Sequence, residues 1–249
     1  MASPQIAPGK NDICFHSIRY LDTTAAYDLW ASVYDTDGNF LQALDSIEMR
    51  TLLPDFLGQI STPQPWTLVD LGCGTGRNTA ALLAVPSTNV VGLDASPKML
   101  EVARSRLEQS ERLKLDVFDL LAASPPALNA DAVISTLVLE HVPIDAFFRV
   151  AAEMLRAGGK LLVTNMHSEM GNISQAGFVD TNTGEKIRPK SYAHRLEDVV
   201  SGAKECGFHV VGKPLERSVD EAMSQKLGPR AKKWIGVTVW FGIMFSKTA

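Results

Sequence analysis

The stretch Val69-Asp70-Leu71-Gly72-Cys73-Gly74-Thr75-Gly76-Arg77-Asn78 decides the reading of the fold. A short apolar strand, Thr67 to Leu71, runs into a loop with glycines at 72, 74 and 76, and the pattern of a helix follows at once. Glycines are needed where the backbone turns tightly and where a ligand must come up against it. Downstream, Asn89 to Asp94 reads as a second strand, and it ends in a carboxylate 24 positions after Asp70. An acid at that strand end stands beside the glycine loop, where it can accept both hydroxyl hydrogens of a ribose. Its alternative role is to cap the helix that begins at Ser96-Pro97.

Working outward, strands and helices alternate. Arg112 to Phe118, Asp131 to Thr136 and Gly159 to Asn165 read as the next three strands, followed by Gly207 to Val211 and Val237 to Phe245. Such alternation is the signature of a parallel sheet built from βαβ units. Ser96 is the expected N-cap of a helix with Pro97 at its first position. Pro143 opens another, with Phe147, Ala151 and Leu155 on one face and Gly158-Gly159 as the stop. Upstream, residues 1–20 read as a Pro- and Gly-punctuated arm, and Asp22 to Tyr34 and Asn39 to Ile60 as two helices. The chain therefore divides into 1–60, an arm with covering helices, and 61–249, the α/β domain. Two stretches of that domain exceed the minimal alternation, 166–193 and 213–235, and are expected as lids. The first contains a candidate hairpin about Thr181-Asn182-Thr183-Gly184.

Bulk properties narrow the class. With 249 residues and 45% hydrophobic side chains the chain can bury a continuous core. A net charge of −4 does not attract polyanions, so nucleic acid is not an expected partner. Cys14, Cys73 and Cys206 are scattered, with neither metal-ligand nor disulfide spacing, which suits a reducing compartment. No secretory pattern opens the chain and no apolar run reaches the ~18 residues needed to span a bilayer, so the expected location is the cytoplasm, away from membranes. The oligomeric state is left open.

The dinucleotide fingerprint wants glycine just beyond Gly76, where Arg77 stands, and the carboxylate of Asp70 at the loop mouth would repel a diphosphate. It suits a cofactor that bears an ammonium group and no phosphate, as S-adenosylmethionine does. The ordered series VDLGCGTGRNT, GLDASPKMLEVA, FDLL, ISTLVLEHV and LRAGGKLLVTN resembles the class I S-adenosylmethionine-dependent methyltransferases over about residues 66–165. The upstream AYDLWASVYD resembles the cofactor-covering helix of their small-molecule members. The resemblance implies an α/β, Rossmann-like, seven-stranded and mostly parallel sheet with an antiparallel last strand and helices on both faces. It also implies that Gly72, Gly74 and Gly76 line the methionine portion, with Asp70 near its amino group. Asp94, with Ala95 beside it, would hold the ribose, and Asp119 and Leu120 the adenine. Thr136 and Leu137 would lie beside the sulfonium, with Trp30 and Tyr34 closing over it. Asp116 competes with Asp119, but strand alternation sends it to the surface.

The acceptor side is less determined. A hydroxyl or phenol acceptor would gain from a base, and His141, His167 and His194 all follow strand ends or loops on the expected cofactor side. His167 is favoured because it opens the first lid. Met166, Met170, Ile173, Phe178, Met223 and Trp234 in the covering segments favour a small apolar acceptor, with O-methylation preferred. No Asn/Asp-Pro-Pro-Tyr follows the fourth strand, so methylation of a planar amide or base nitrogen lacks its usual motif. The alternative is a cyclase or pericyclase-like enzyme that keeps the cofactor without transferring its methyl, since fold and cofactor do not settle the reaction. A nicotinamide oxidoreductase is disfavoured by Arg77 and Asp70, and a noncatalytic partner of another methyltransferase by the intact cofactor motifs.

Overall fold

A computed structural model describes residues 18–248. The expected arm before Ile18, and Cys14 with it, lie outside the described residues. The elements in chain order begin with β1 (Ile18–Tyr20), α1 (Thr23–Trp30), α2 (Phe40–Leu57), β2 (Trp66–Leu71), α3 (Arg77–Leu83), β3 (Thr88–Asp94) and α4 (Pro97–Arg106). They continue with β4 (Leu113–Val117), β5 (Ala130–Thr136), α5 (Ile144–Met154), β6 (Leu155–Met166), α6 (Ser168–Ile173), β7 (Phe178–Val179) and β8 (Lys186–Arg188). The last are α7 (Leu196–Glu205), β9 (Phe208–Ser218), α8 (Glu221–Leu227) and β10 (Thr238–Lys247), with a 3₁₀ turn at Pro229–Trp234.

Seven strands form one sheet in the order β4-β3-β2-β5-β6-β10-β9. The β2–β3, β2–β5, β3–β4 and β5–β6 pairs are parallel, and β10 runs antiparallel to both β6 and β9. This is the expected Rossmann-like sheet. Strand alternation splits its side chains between two layers. Leu68, Val90, Ile134 and Leu162 pack under α2, α3 and α8, with Leu44, Phe56, Leu82 and Leu227. Val69, Val91, Val133 and Leu161 pack under α5 and α7, with Phe147, Phe148, Val199 and Ala203.

The cap expected at Ser96 is present, and Asn39 supplies a second one. Ser96 Oγ accepts from the Met99 amide with Pro97 next in line, and Asn39 Oδ1 accepts from the amides of Leu41 and Gln42. Several boundaries move. β9, expected to end at Val211, runs on to Ser218 and takes the first residues of the expected 213–235 lid into the sheet, and α2 ends at Leu57 rather than Ile60. The helix opened by Pro143 ends at Met154, and β6 starts at once; the register then slips between Ala130 and Ala132, and Gly158 takes its positive φ inside that irregularity. The first helix stops at Trp30 rather than Tyr34, and the chain continues in turns. The expected hairpin is present as β7 and β8, closed by Asp180, whose carboxylate accepts from Asn182 N and Thr183 Oγ1. Its partner was not expected: β1 adds in parallel to β8 and makes a second, three-stranded sheet. Three half-polar residues paired across 168 positions leave no local signal. No described helix is long and apolar enough to cross a membrane.

Candidate functional site

Two cavities open at the carboxyl edge of the sheet, the smaller at the ends of β2, β3 and β5 and the larger beyond the ends of β5 and β6. The smaller, about 310 Å³, is bounded by the glycine loop, the ends of β3 and β5 and the Phe118–Leu121 segment. Of the residues named from sequence, Gly72, Gly74, Asp94, Ala95, Asp119, Leu120, Thr136 and Tyr34 line it. Asp70, Gly76 and Trp30 do not.

Each departure has a physical reason. Asp70 shares the strand face of Leu68, so its carboxylate turns beneath the loop and accepts from Thr79 Oγ1 at 2.6 Å. Burial raises its pKa to about 6 against that hydrogen bond, and its other oxygen, Oδ1, is buried without a partner. Gly76 is required by packing: a Cβ there would stand 2.9 Å from Leu107 Cδ1 and 3.2 Å from Ala103 Cβ. By contrast Gly74, at φ +54°, has nothing within 4 Å of that position, so its bare backbone borders open space. Trp30 is fully buried on the far side, stacked on Phe178 at 5.0 Å with its indole N–H donating to Asp37.

Asp94 accepts from the Gly74 amide at 2.7 Å and the Ser96 amide at 2.8 Å, one at each oxygen. It therefore fixes the glycine loop and the helix entry together, and each carboxylate oxygen retains a lone pair for a ligand. Burial raises its pKa to about 6, offset in part by those two amides. Arg77 ties the loop to α2 through Asp45, Ser46 and the Gln42 carbonyl. Asp116 pairs with Lys114 at the sheet edge and lines neither cavity. The smaller cavity thus offers three carboxylates, Asp94, Asp119 and Asp22 (which also caps α1), an open glycine backbone and an apolar wall of Met99, Phe118 and Leu120, with Lys190 as its one lysine. A ligand with a cationic centre and a flat ring fits that set.

The larger cavity, about 850 Å³, lies under α1, α6, the β7–β8 hairpin and the 229–234 turn. Met166, Met170, Phe178 and Trp234 line it as expected; Ile173 is solvent-exposed, and Met223, half-buried on α8, packs against the core instead. Tyr27, Tyr34 and Leu137 belong to both cavities and form the wall between them. Leu137 holds φ +57°, a conformation costing an L-residue roughly 1–2 kcal/mol, stabilised by the hydrogen bond its amide donates to the Thr164 carbonyl.

The three histidines part company. His141 alone lines a cavity, the smaller one. Its Nδ1 lies 2.8 Å from the Lys190 carbonyl, which can only accept, so Nδ1 carries the proton and Nε2 receives the Tyr27 hydroxyl, also at 2.8 Å. Burial lowers its pKa to about 4, so the ring is neutral. His167 caps α6 by accepting the Glu169 amide on Nδ1, and its Nε2 lies 3.1 Å from Glu216; it lines neither cavity. His194 donates from Nε2 to the Val142 carbonyl and stacks on Tyr192, again outside both.

Sequence reasoning passed over Tyr27 and Glu140. Tyr27 was signalled by its spacing, three before Trp30 and seven before Tyr34. Glu140 adjoins His141 and is 3% exposed. It lines the larger cavity, with Oε2 buried and unpartnered, and burial lifts its pKa to about 8. No group of three or more potential metal ligands occurs among the described residues.

Comparison with known proteins agrees with this geometry. Residues 68–159 match the methyltransferase domain family. An uncharacterised methyltransferase of Emericella nidulans is 50% identical over 92% of both chains. A trans-aconitate 2-methyltransferase of Azoarcus sp. is 36% identical over about half of each chain, 51% of this one and 49% of that one. Among solved structures, the cyclase SpnF shares the fold at a TM-score of 0.62, covering 94% of this chain and 99% of that one at 18% identity.

Proposed function

Because the chain belongs to the class I S-adenosylmethionine-dependent methyltransferases, we propose that the smaller cavity takes the cofactor and the larger one a small methyl acceptor. The observation that carries this reading is the shared wall: Tyr27, Tyr34 and Leu137 face both spaces, so a donor and an acceptor meet there. The cofactor supplies a methyl group already activated on a sulfonium. The protein's part is to align the two partners and to keep water out.

In this reading Asp94 accepts the ribose hydroxyls while its backbone donors hold it still. Asp119 stands at the adenine edge with Leu120 on the ring face, and Gly72 and Gly74 let the methionine portion lie against bare backbone. Asp70 acts from beneath, holding the glycine loop and α3 through Thr79. His141 fixes the Tyr27 hydroxyl at the shared wall and is too weak a base to take a proton at neutral pH. Glu140 is the better placed: it lines the acceptor cavity and is poised near pH 8, so it can receive the proton that a hydroxyl loses on O-methylation. The body of the acceptor packs against Trp30, Phe178 and Trp234.

The test is incubation with methyl-labelled cofactor and a fractionated metabolite extract, following label in product and demethylated cofactor together. Equal release of both is the expected result. Acceptor consumption without demethylated cofactor would replace this reading by the cyclase alternative.

A further inference from the structure

The larger cavity is lined by charge of mainly one sign. Lys186 of β8 and Arg230, Lys232 and Lys233 of the 229–234 turn all face it, in a chain whose net charge is −4. Two carboxylates share the lining, Asp37 and Glu140. Asp37 is occupied by the Trp30 indole and the Asn39 amide, and stands 3.8 Å from Arg230. Glu140 is mostly uncharged at neutral pH because burial disfavours its anion. Among the described residues, neither Lys186 nor Lys233 forms an ion pair within 4.0 Å; Lys233 lies instead over the Trp234 ring at 5.0 Å. Lys186 has a lowered pKa, from its partial burial first and then from Arg188, Lys233 and Arg230. Lys186 and Lys233, without an ion-pair partner of their own beside the Asp37-paired Arg230, repel the neighbouring cations, and a bound anion relieves that repulsion.

A separate observation points the same way. The indole N–H of Trp234 is buried without a hydrogen-bond partner and its side chain lines this cavity; Gln175 Oε1, likewise buried and unpartnered on the lining, is an acceptor and calls for a donor on the ligand rather than for the anion. An unpartnered buried donor beside several cations suits an oxygen-rich anion.

We infer that the methyl acceptor carries an oxyanion, held by Lys186, Arg230 and Lys233, on an apolar or aromatic body that packs against Trp30, Phe178 and Trp234. The inference rests on the larger cavity being the acceptor site, and it changes the expected acceptor from purely apolar to amphipathic. The aromatic lining alone would accept a neutral molecule equally well; the cations make the distinction.

Two fluorescent probes of nearly equal shape separate the cases. 8-Anilinonaphthalene-1-sulfonate is an aromatic anion, and N-phenyl-1-naphthylamine is its uncharged twin. Each is titrated against the full chain saturated with S-adenosylhomocysteine, which fills the smaller cavity. The combined variant Lys186→Met, Arg230→Met, Lys233→Met is expected to bind the sulfonate about 10-fold more weakly or worse, and the neutral twin within about 2-fold of wild type. Its S-adenosylhomocysteine affinity reports whether the fold is intact; should the combined variant misfold, the single reversal Lys233→Glu is expected to show the same contrast. Unchanged sulfonate binding, or an equal loss for both probes, overturns the inference. Failure of both probes to bind the wild type overturns the assignment of the cavity and the inference with it, and failure of the sulfonate alone overturns the inference.

Discussion

The two cavities share a wall but are made from different materials. The smaller is built mainly on strand ends, with the glycine loop, Asp94 pinned by two amides and the residues closing β5, and only its cover comes from residues 22–27, Tyr34 and Lys190. The larger is walled by side chains brought in from α1, the β5 end, α6, the β7–β8 hairpin and the 229–234 turn. A cavity built on the ends of a sheet inherits the rigidity of the sheet and changes little with sequence. One built from covering segments can change its chemistry without disturbing the sheet beneath. The cofactor is therefore expected at the first and discrimination between acceptors at the second.

Substitution on the acceptor side is the hardest test of that division. Glu140→Gln keeps shape and removes the ionisable group, and turnover is expected to fall by ~10²–10⁴-fold with cofactor affinity unchanged. Wild-type turnover should rise with pH through about 8 and the variant should lose that limb. The stability sign is opposite: with a folded pKa above the unfolded one, Glu140 contributes stability that is complete below about pH 4 and lost as pH rises through about 8. Thermal melts of wild type should thus fall between pH 5 and 8.5 more than those of Glu140→Gln. Full turnover in the variant would leave catalysis to positioning alone.

On the cofactor side, Asp94→Ala should weaken S-adenosylmethionine binding by about 2 kcal/mol, roughly 30-fold, measured by calorimetry. Asp94→Asn, which keeps one acceptor oxygen, should lose less. An unchanged dissociation constant in Asp94→Ala would make this acid only the brace between Gly74 and Ser96. The smallest effect is expected at His167→Asn. Its ring lies outside both cavities, so turnover should stay within about 2-fold of wild type, and a larger loss would place the acceptor elsewhere.

The same division explains what could be read from the chain. Every strand of the main sheet, and the N-cap at Ser96, followed from periodicity and local capping chemistry. Gly72, Gly74, Asp94 and Asp119 were legible because β–loop–α units place strand-end residues at one edge of a sheet. The face on which Asp70 points was also there in the alternation with Leu68, although its closeness to the loop suggested otherwise. Trp30 illustrates the limit: helical spacing says that it is buried beside Tyr27 and Tyr34, but which cavity it walls depends on Phe178, 148 positions away. The cations at 186, 230 and 233 meet only through tertiary folding, and separately each looks like an ordinary lysine or arginine of a solvated loop. Proximity to a strand end favoured His167, and the structure engages that ring in capping α6 and in its contact with Glu216.

The placement of β10 between β6 and β9 carries a consequence for how the chain is made. Residues 238–247 are an interior rib of the sheet, and Trp240 alone reaches back 195 positions to the buried carboxylate of Asp45, which also takes the Thr164 hydroxyl and the Arg77 guanidinium. While that segment is still inside the ribosomal tunnel, β6 has a bare edge, β9 has no neighbour, and Asp45 lacks one of its donors. The nascent chain must wait, with its cofactor loop already synthesised, until nearly all of the described sequence has emerged.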